Sequence, residues 1–368
     1  MQVLNQKYIQ ELQKTEQLSD IHRALTYAVQ LELATIPPYL TALFSLKNGS
    51  NQQIASLLQS IVVEEMLHMT LAANTLIAIG GNPDLLALGM ELQYPGPLPL
   101  SVDDGLIVSL AAVSPSQVQQ VFMAIEKPDS QEILPGETTP APPPKIPGEF
   151  ASIGNFYHAI LQGLAHLERQ GGHCFAKPRL EQQVNVSLWF PGLRAANPSG
   201  KVHDLSTATK VLETIMVQGE GMPFRGDFSP VDPTDSSYAH YFKFGEIFHE
   251  QRLIRDPFAP SGWSYSGENV PLDSANVYSF LPNAALSDYP KDSGAGVAAN
   301  QFYGTYQRLL TSLNLVFNGH PEALRAAMGV MYELKLAAQK VVQHPADPLK
   351  PEIIAAPPFM LTKTTNLA

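Results

Sequence analysis

Two long apolar segments on either side of Asn48-Gly49-Ser50 constrain this chain more than any other feature. The first reads as a helix from about Asp20, a good N-cap, to about Lys47; the second runs from about Asn51 to Ile79. Asn48-Gly49-Ser50 between them is a turn. Glu32 and Glu65 each lie about 16 residues from that turn, roughly 24 Å along an axis rising about 1.5 Å per residue. An antiparallel hairpin therefore brings the two carboxylates to the same height. Glu65-Met66-Leu67-His68 is a Glu-x-x-His motif, and a Glu and a His three apart share one helix face. One Glu plus one Glu-x-x-His is half of a di-iron or di-manganese site in helical bundles.

On a surface helix the same motif is only a solvated pair. Here Glu32 sits in Tyr27-Ala28-Val29-Gln30-Leu31-Glu32-Leu33-Ala34-Thr35-Ile36, and the motif in Ile61-Val62-Val63-Glu64-Glu65-Met66-Leu67-His68-Met69. Carboxylates in such surroundings face inward, and a buried charge needs a partner or a metal. Glu64 lies one residue off the Glu65 face and is able to pair with His68 at i, i+4. Glu65 is the preferred ligand and Glu64 an outer or surface group.

A second half is readable downstream. Glu246-Ile247-Phe248-His249 repeats the motif on a helical stretch from about Ser236 to Arg255. Upstream, a helix from about Leu205 to Gln218 contains Glu213 and ends near Gly219-Glu220-Gly221. The interval 213 to 246 equals the interval 32 to 65, which predicts a duplicated hairpin. The intervening loop is longer here, so Glu220 is an alternative to Glu213, and His240 is a further candidate ligand.

With 368 residues, 45% of them hydrophobic, the chain is long enough for one large or two modest domains. A net charge of -11 with no basic cluster argues against a nucleic-acid partner. The single cysteine, Cys174, rules out a disulfide framework within the chain and fits a reducing compartment. The polar N-terminus and the lack of a membrane-length apolar run lead us to expect a cytoplasmic protein with no membrane partner.

Prolines mark the organisation. Pro37-Pro38 should kink or interrupt the first helix just beyond Glu32. The expected division is a bundle over 1–255, carrying a loop-rich insertion at about 82–200, then an irregular segment and a C-terminal helical hairpin over 256–368. Within the insertion, helices are expected from about Pro115 to Ile125 and from about Ser152 to Gln170. Residues from about Asp256 to Ser293 read as irregular. The terminal pair spans about Ala298 to Asn318 and Glu322 to His344, and the tail from Pro351 is expected to be extended and loosely packed. The fold class is thus an all-α core with long Pro-rich insertions and an added C-terminal helix pair.

Leu31-Glu32-Leu33-Ala34-Thr35-Ile36-Pro37-Pro38-Tyr39-Leu40 followed by Glu64-Glu65-Met66-Leu67-His68-Met69 resembles the ferritin-like domain family named for iminophenyl-pyruvate dimer synthase. Phe122-Met123-Ala124-Ile125-Glu126-Lys127-Pro128, Ile153-Gly154-Asn155-Phe156-Tyr157, Gln218-Gly219-Glu220-Gly221 and His240-Tyr241-Phe242-Lys243-Phe244-Gly245-Glu246-Ile247 match as well. The resemblance covers about residues 20–255. It implies a ferritin-like four-helix bundle with a carboxylate–histidine metal centre, and it favours Glu220 over Glu213. The family name comes from violacein and rebeccamycin type pathways, where amino-acid-derived imines are coupled by much longer, haem-associated chains. The resemblance therefore implies the bundle and the centre, not the coupling reaction.

The expected metal ligands are Glu32, Glu65, His68, Glu220, Glu246 and His249, with Glu213 and His240 as alternates. Two iron ions are the expected cofactor, with manganese or zinc as substitutes, since carboxylates and imidazoles suit all three. Three function classes follow: an oxidoreductase acting on a small-molecule substrate, a ferroxidase or storage protein, and a structural bundle that has kept its ligands. A homo-oligomer is compatible with each. Tyr39, Phe44, Phe156, Tyr157, Tyr241, Phe242 and Phe244 either line an aromatic substrate pocket or belong to the core.

Overall fold

The computed structural model describes residues 4–102, 106–128, 134–137, 152–188, 190, 197–221, 229–232 and 236–362. The proline run 140–144 lies outside them. Helix α1 is Gln6–Gln13, α2 is Leu18–Phe44 and α3 is Gln52–Ala78. The α2–α3 turn ends at Asn51, whose backbone takes the left-handed conformation that asparagine tolerates well. Along the central turns of both helices nearly every residue is buried, which explains their all-round apolar sequence. Helix α3 is long and apolar enough to cross a membrane, yet most of it is buried inside the protein. Fully buried Leu25, Ile54, Leu58 and Ile61 each stabilise the pairing by roughly 1.5–3 kcal/mol.

Helix α2 runs unbroken through Pro37 and Pro38, against the expectation of an interruption. A proline at position 38 removes the N–H that the Ala34 carbonyl would accept. The Tyr94 hydroxyl donates to that carbonyl instead, at 2.6 Å. Thr35 and Thr41 add side-chain bonds to the carbonyls of Glu32 and Pro37. The freed backbone group is thus satisfied from outside the helix.

The bundle closes differently from the duplicated-hairpin expectation. After α4 (Leu85–Glu91), helix α5 starts at Pro115–Gln117, widens into a π turn at Val118–Phe122 and ends at Met123–Ile125. Helix α6 (Ile153–Arg169) and helix α7 (Leu205–Glu220) then pack on each other, α6 against α2 and α7 against α3, which completes the four-helix ring. Helix α6, read from sequence as part of the insertion, is therefore the fourth bundle helix. The expected helix from Ser236 to Arg255 is shorter: α8 is His240–Phe248, and it lies across α3, α5 and α7. It stops because Glu250 adopts a positive φ, turning the chain into β1 (Gln251–Arg255), which pairs antiparallel with β2 (Trp263–Asn269). That hairpin occupies part of the segment expected to be irregular.

Helices α9 (Gly294–Phe317) and α10 (Leu324–Val341) form the C-terminal pair, and α9 packs on α4 and α3. The tail is not loose. Strands β3 (Pro345–Asp347) and β4 (Lys350–Ile354) pair, and Ala355, Ala356, Phe359 and Leu361 are buried. Phe359 meets Phe302 and Tyr306 edge-on, so apolar burial fixes a segment with no secondary structure of its own.

Candidate metal centre

Helix pairing at equal heights places Glu32 of α2 against Glu65 and His68 of α3. His68 Nδ1 lies 3.7 Å from Glu32 Oε2 and 3.9 Å from Glu65 Oε1. His68 Nε2 is 3.0 Å from Gln218 Oε1; donating there leaves Nδ1 turned toward the carboxylates. Helix α8 contributes its first residue: His240 Nδ1 lies 2.7 Å from Glu65 Oε1 and 3.6 Å from Glu126 Oε2. Glu126 directly follows α5, downstream of the π turn, a helix distortion often found at functional sites. Glu220 ends α7, where Gly221 with φ +92° takes the chain out of the helix.

All six side chains are buried, and each is held from behind. Tyr157 donates to Glu32 Oε1 and Tyr39 donates to Glu126 Oε1 at 2.6 Å. Glu220 accepts from Ser152 Oγ at 3.1 Å and from Gly154 N at 2.7 Å, so it sits on the positive end of α6. A Cβ at position 154 would fall 2.6 Å from Glu220 Oε2, which is why that residue is glycine. Behind His240, Nε2 donates to Glu64 Oε2 at 2.9 Å, and Lys243 Nζ reaches Glu64 at 2.6 and 2.8 Å. Burial pushes Glu64 up, but the hydrogen bonds and charges of His240 and Lys243 outweigh it and hold the carboxyl at about 2. Glu64 thus pairs with His240 rather than with His68.

The electrostatics of the cluster are lopsided. Burial first, then the charge of Glu126, pushes Glu65 up to about 7. Thr35 Oγ1 lies 2.8 Å from the Glu32 carbonyl oxygen and 2.6 Å from Glu65 Oε2. One hydroxyl proton serves only one of these contacts, so the second is a hydrogen bond when Glu65 carries a proton of its own. Burial lowers both imidazoles, yet the surrounding carboxylates win, raising His68 and raising His240 well above its ordinary value. Burial and the adjacent carboxylates also lift the Tyr39 and Tyr157 phenols well above 10, keeping them as donors.

These residues fit a metal ion. The ligand atoms of Glu65, His68 and His240 all lie within 4.8 Å of one another. His240 Nδ1 is buried and makes no hydrogen bond, even though Glu65 Oε1 is 2.7 Å away. Two donor atoms that approach so closely without a bond between them are arranged to share a third partner. The charges point the same way: Glu32, Glu65, Glu126 and Glu220 outnumber the two imidazoles even when both are protonated. A cavity of about 20 Å³ lies between Glu32, Glu65, His68, Glu126, Tyr157 and Glu220.

The remaining sequence candidates lie elsewhere. Glu246 is six residues beyond His240, roughly 9 Å further along α8 at about 1.5 Å per residue. Its carboxylate is taken by Arg252 and by the Leu253 N–H at 2.9 Å. His249 stacks on Tyr265 with ring centroids 4.3 Å apart, and burial lowers its pKa. Glu213 is half-buried two helical turns before Glu220. The structure therefore brings Glu32, Glu65, His68, Glu220 and His240 together and adds Glu126, which motif reading passed over although it stood in a matched stretch. Of the aromatic residues, Tyr157 lines the cavity, while Phe156, Phe242 and Phe244 are fully buried core and Phe44 is half-buried.

Four inward carboxylates and two imidazoles within a four-helix bundle define a carboxylate–histidine bundle protein. Residues 25–249 match the ferritin-like family model, and the chain belongs to that family. It is 26% identical over 294 residues to dichlorochromopyrrolate synthase of Lentzea aerocolonigenes, an alignment covering 67% of this chain and 26% of that protein. The chain thus spans about a quarter of the length of the curated relative it matches. A crystal structure of a ferritin-like protein from Caulobacter vibrioides shares the fold, with TM-score 0.57 and 23% identity, covering 88% of this chain and 95% of that one.

Proposed function

We propose that the protein is a metal-dependent oxidoreductase with a dinuclear iron or manganese centre, acting on a small, amino-acid-derived organic molecule in secondary metabolism. The observation that carries the reading is that three buried carboxylates, Glu32, Glu65 and Glu126, lie within 3.9 Å of the Nδ1 atoms of two imidazoles, with the buried Glu220 lining the same cavity. Glu32, Glu65, His68, Glu126, Glu220 and His240 would hold the ions. Two divalent ions neutralise four carboxylates, with both histidines neutral. When bound, such ions supply activation of dioxygen or peroxide and the electrons for substrate oxidation.

The protein's own contribution is geometric. Tyr157 and Tyr39 each occupy one oxygen of Glu32 and Glu126 and leave the other oxygen directed inward. Gln218 and Glu64 fix the ring orientations of His68 and His240, and Lys243 keeps Glu64 ionised for that task. The apolar bundle keeps bulk water from the cluster. The likeness to a synthase supports a small organic substrate.

The narrowness of the cavity favours a second reading, a ferroxidase or storage bundle, because about 20 Å³ admits little more than a water-sized molecule. Metal analysis after purification without chelator should find two first-row ions per chain. Oxygen added to the reduced, iron-loaded protein should then give an absorbance change complete near two irons per chain. Iron oxidation continuing to tens of ions per chain would replace the enzyme reading with storage. A metal-free protein that cannot be reconstituted would overturn both.

A further inference from the structure

A second cavity, of about 460 Å³, lies where the end of α2, the first turns of α3 and the last turns of α10 converge. Its size is that of a small-molecule site, generally about 300–1,000 Å³, and more than an order above the void at the metal cluster. Its nearest lining residues are Leu43, about 11 residues from Glu32 along α2, and Gln59, six residues from Glu65 along α3, roughly 16 and 9 Å at about 1.5 Å per residue, and none of its lining residues borders the void at the cluster. One side is apolar, formed by Leu43, Phe44, Ala338 and Val342. The other is polar, built from amides with Lys47 and Lys335 as its charged groups.

The charge is the informative part. This chain carries 34 acidic residues against 23 basic ones, yet no Asp or Glu is among the described residues lining the cavity. Lys47 is not a loose surface cation: its Nζ donates to the Ala275 carbonyl at 2.8 Å and lies 5.7 Å from the Tyr278 ring centre. Tyr278 itself stacks on Phe280 at an interplanar angle of 6°. The cavity thus combines an apolar wall, a positioned ring and two ammonium groups without a competing carboxylate. That combination selects a ligand with a flat apolar body and an anionic end.

We infer that this cavity is a binding site for a small aromatic carboxylate, distinct from the metal centre. The inference does not depend on the oxidoreductase reading, because none of its residues belongs to the metal cluster. Titration calorimetry on the full chain with indole-3-acetate and phenylacetate tests it, with phenethylamine as the cationic counterpart of the same shape. The acids should bind at one site per chain, and phenethylamine at least tenfold more weakly. Lys335→Glu, on the exposed rim, should weaken the acids about tenfold while leaving the circular dichroism spectrum and metal content unchanged. Ala55→Trp, which fills the cavity from α3, should abolish binding, and Lys47→Glu serves if that variant fails to fold. Failure of both acids to bind at millimolar concentration would overturn the proposal. So would equal affinity for phenethylamine, or binding unmoved by Lys335→Glu together with either cavity variant.

Discussion

Replacing Glu65 by Gln should make the metal-free protein more stable at pH 8 than the metal-free wild type. Burial and Glu126 raise the Glu65 carboxyl from the ordinary 4.5 to about 7. Between those values the folded chain holds a proton that the unfolded chain has released, so stability falls as pH rises through the window. At about 1.36 kcal/mol per pH unit, the span from 4.5 to about 7 corresponds to roughly 3 kcal/mol. His68 and His240, also raised, act in the same direction: their contribution is complete below pH about 6.5 and is lost as pH rises through their folded values. Urea denaturation of chelator-treated protein should therefore show stability declining from pH 5 to pH 8. Glu65→Gln mimics the protonated carboxyl and should remove about 3 kcal/mol of that decline, leaving the histidine part. A wild-type profile flat between pH 5 and 8 refutes the reasoning, as does a Gln variant with the wild-type slope.

Other perturbations separate the elements of the site. His68→Ala should lose metal by elemental analysis while keeping its helical dichroism, whereas His249→Ala should keep its metal, since that ring stacks on Tyr265. Gly154→Ala pushes a methyl to within 2.6 Å of Glu220 Oε2 and should lower metal affinity about tenfold in a competition titration with a chelating dye. Tyr94→Phe leaves the Ala34 carbonyl without its outside donor and should cost about 1–3 kcal/mol in denaturant unfolding, with metal content unchanged.

The first hairpin was legible because its chemistry is local in sequence. Apolar periodicity marks both helices, a short turn fixes their register, and equal arms place Glu32 opposite Glu65. The second hairpin misled because a Glu-x-x-His motif does not say where its helix ends. Helix α8 has nine residues and its first, not its seventh, is at the cluster. Glu220 was readable through its matched stretch, and Glu126 stood in another without a spacing rule to single it out. The buried tyrosines Tyr39 and Tyr157 read as pocket lining or packing, since nothing in sequence distinguishes a phenol that anchors a carboxylate from one that fills space. The tail was underestimated for a related reason: Phe359 and Leu361 are ordered by a groove that other elements create.

The six inward side chains come from five separate stretches, spread between positions 32 and 240. Ions seated among them would close chain loops from tens of residues to more than a hundred, joining α2, α3, α5, α6 through Glu220, α7 and α8 at one point. The entropy withdrawn from the unfolded chain grows with the logarithm of each loop. With a single cysteine, this chain has no disulfide to do that work. The proposed metal centre would then also be a staple, and the order in which the chain assembles and the moment at which it acquires ions would become the same question.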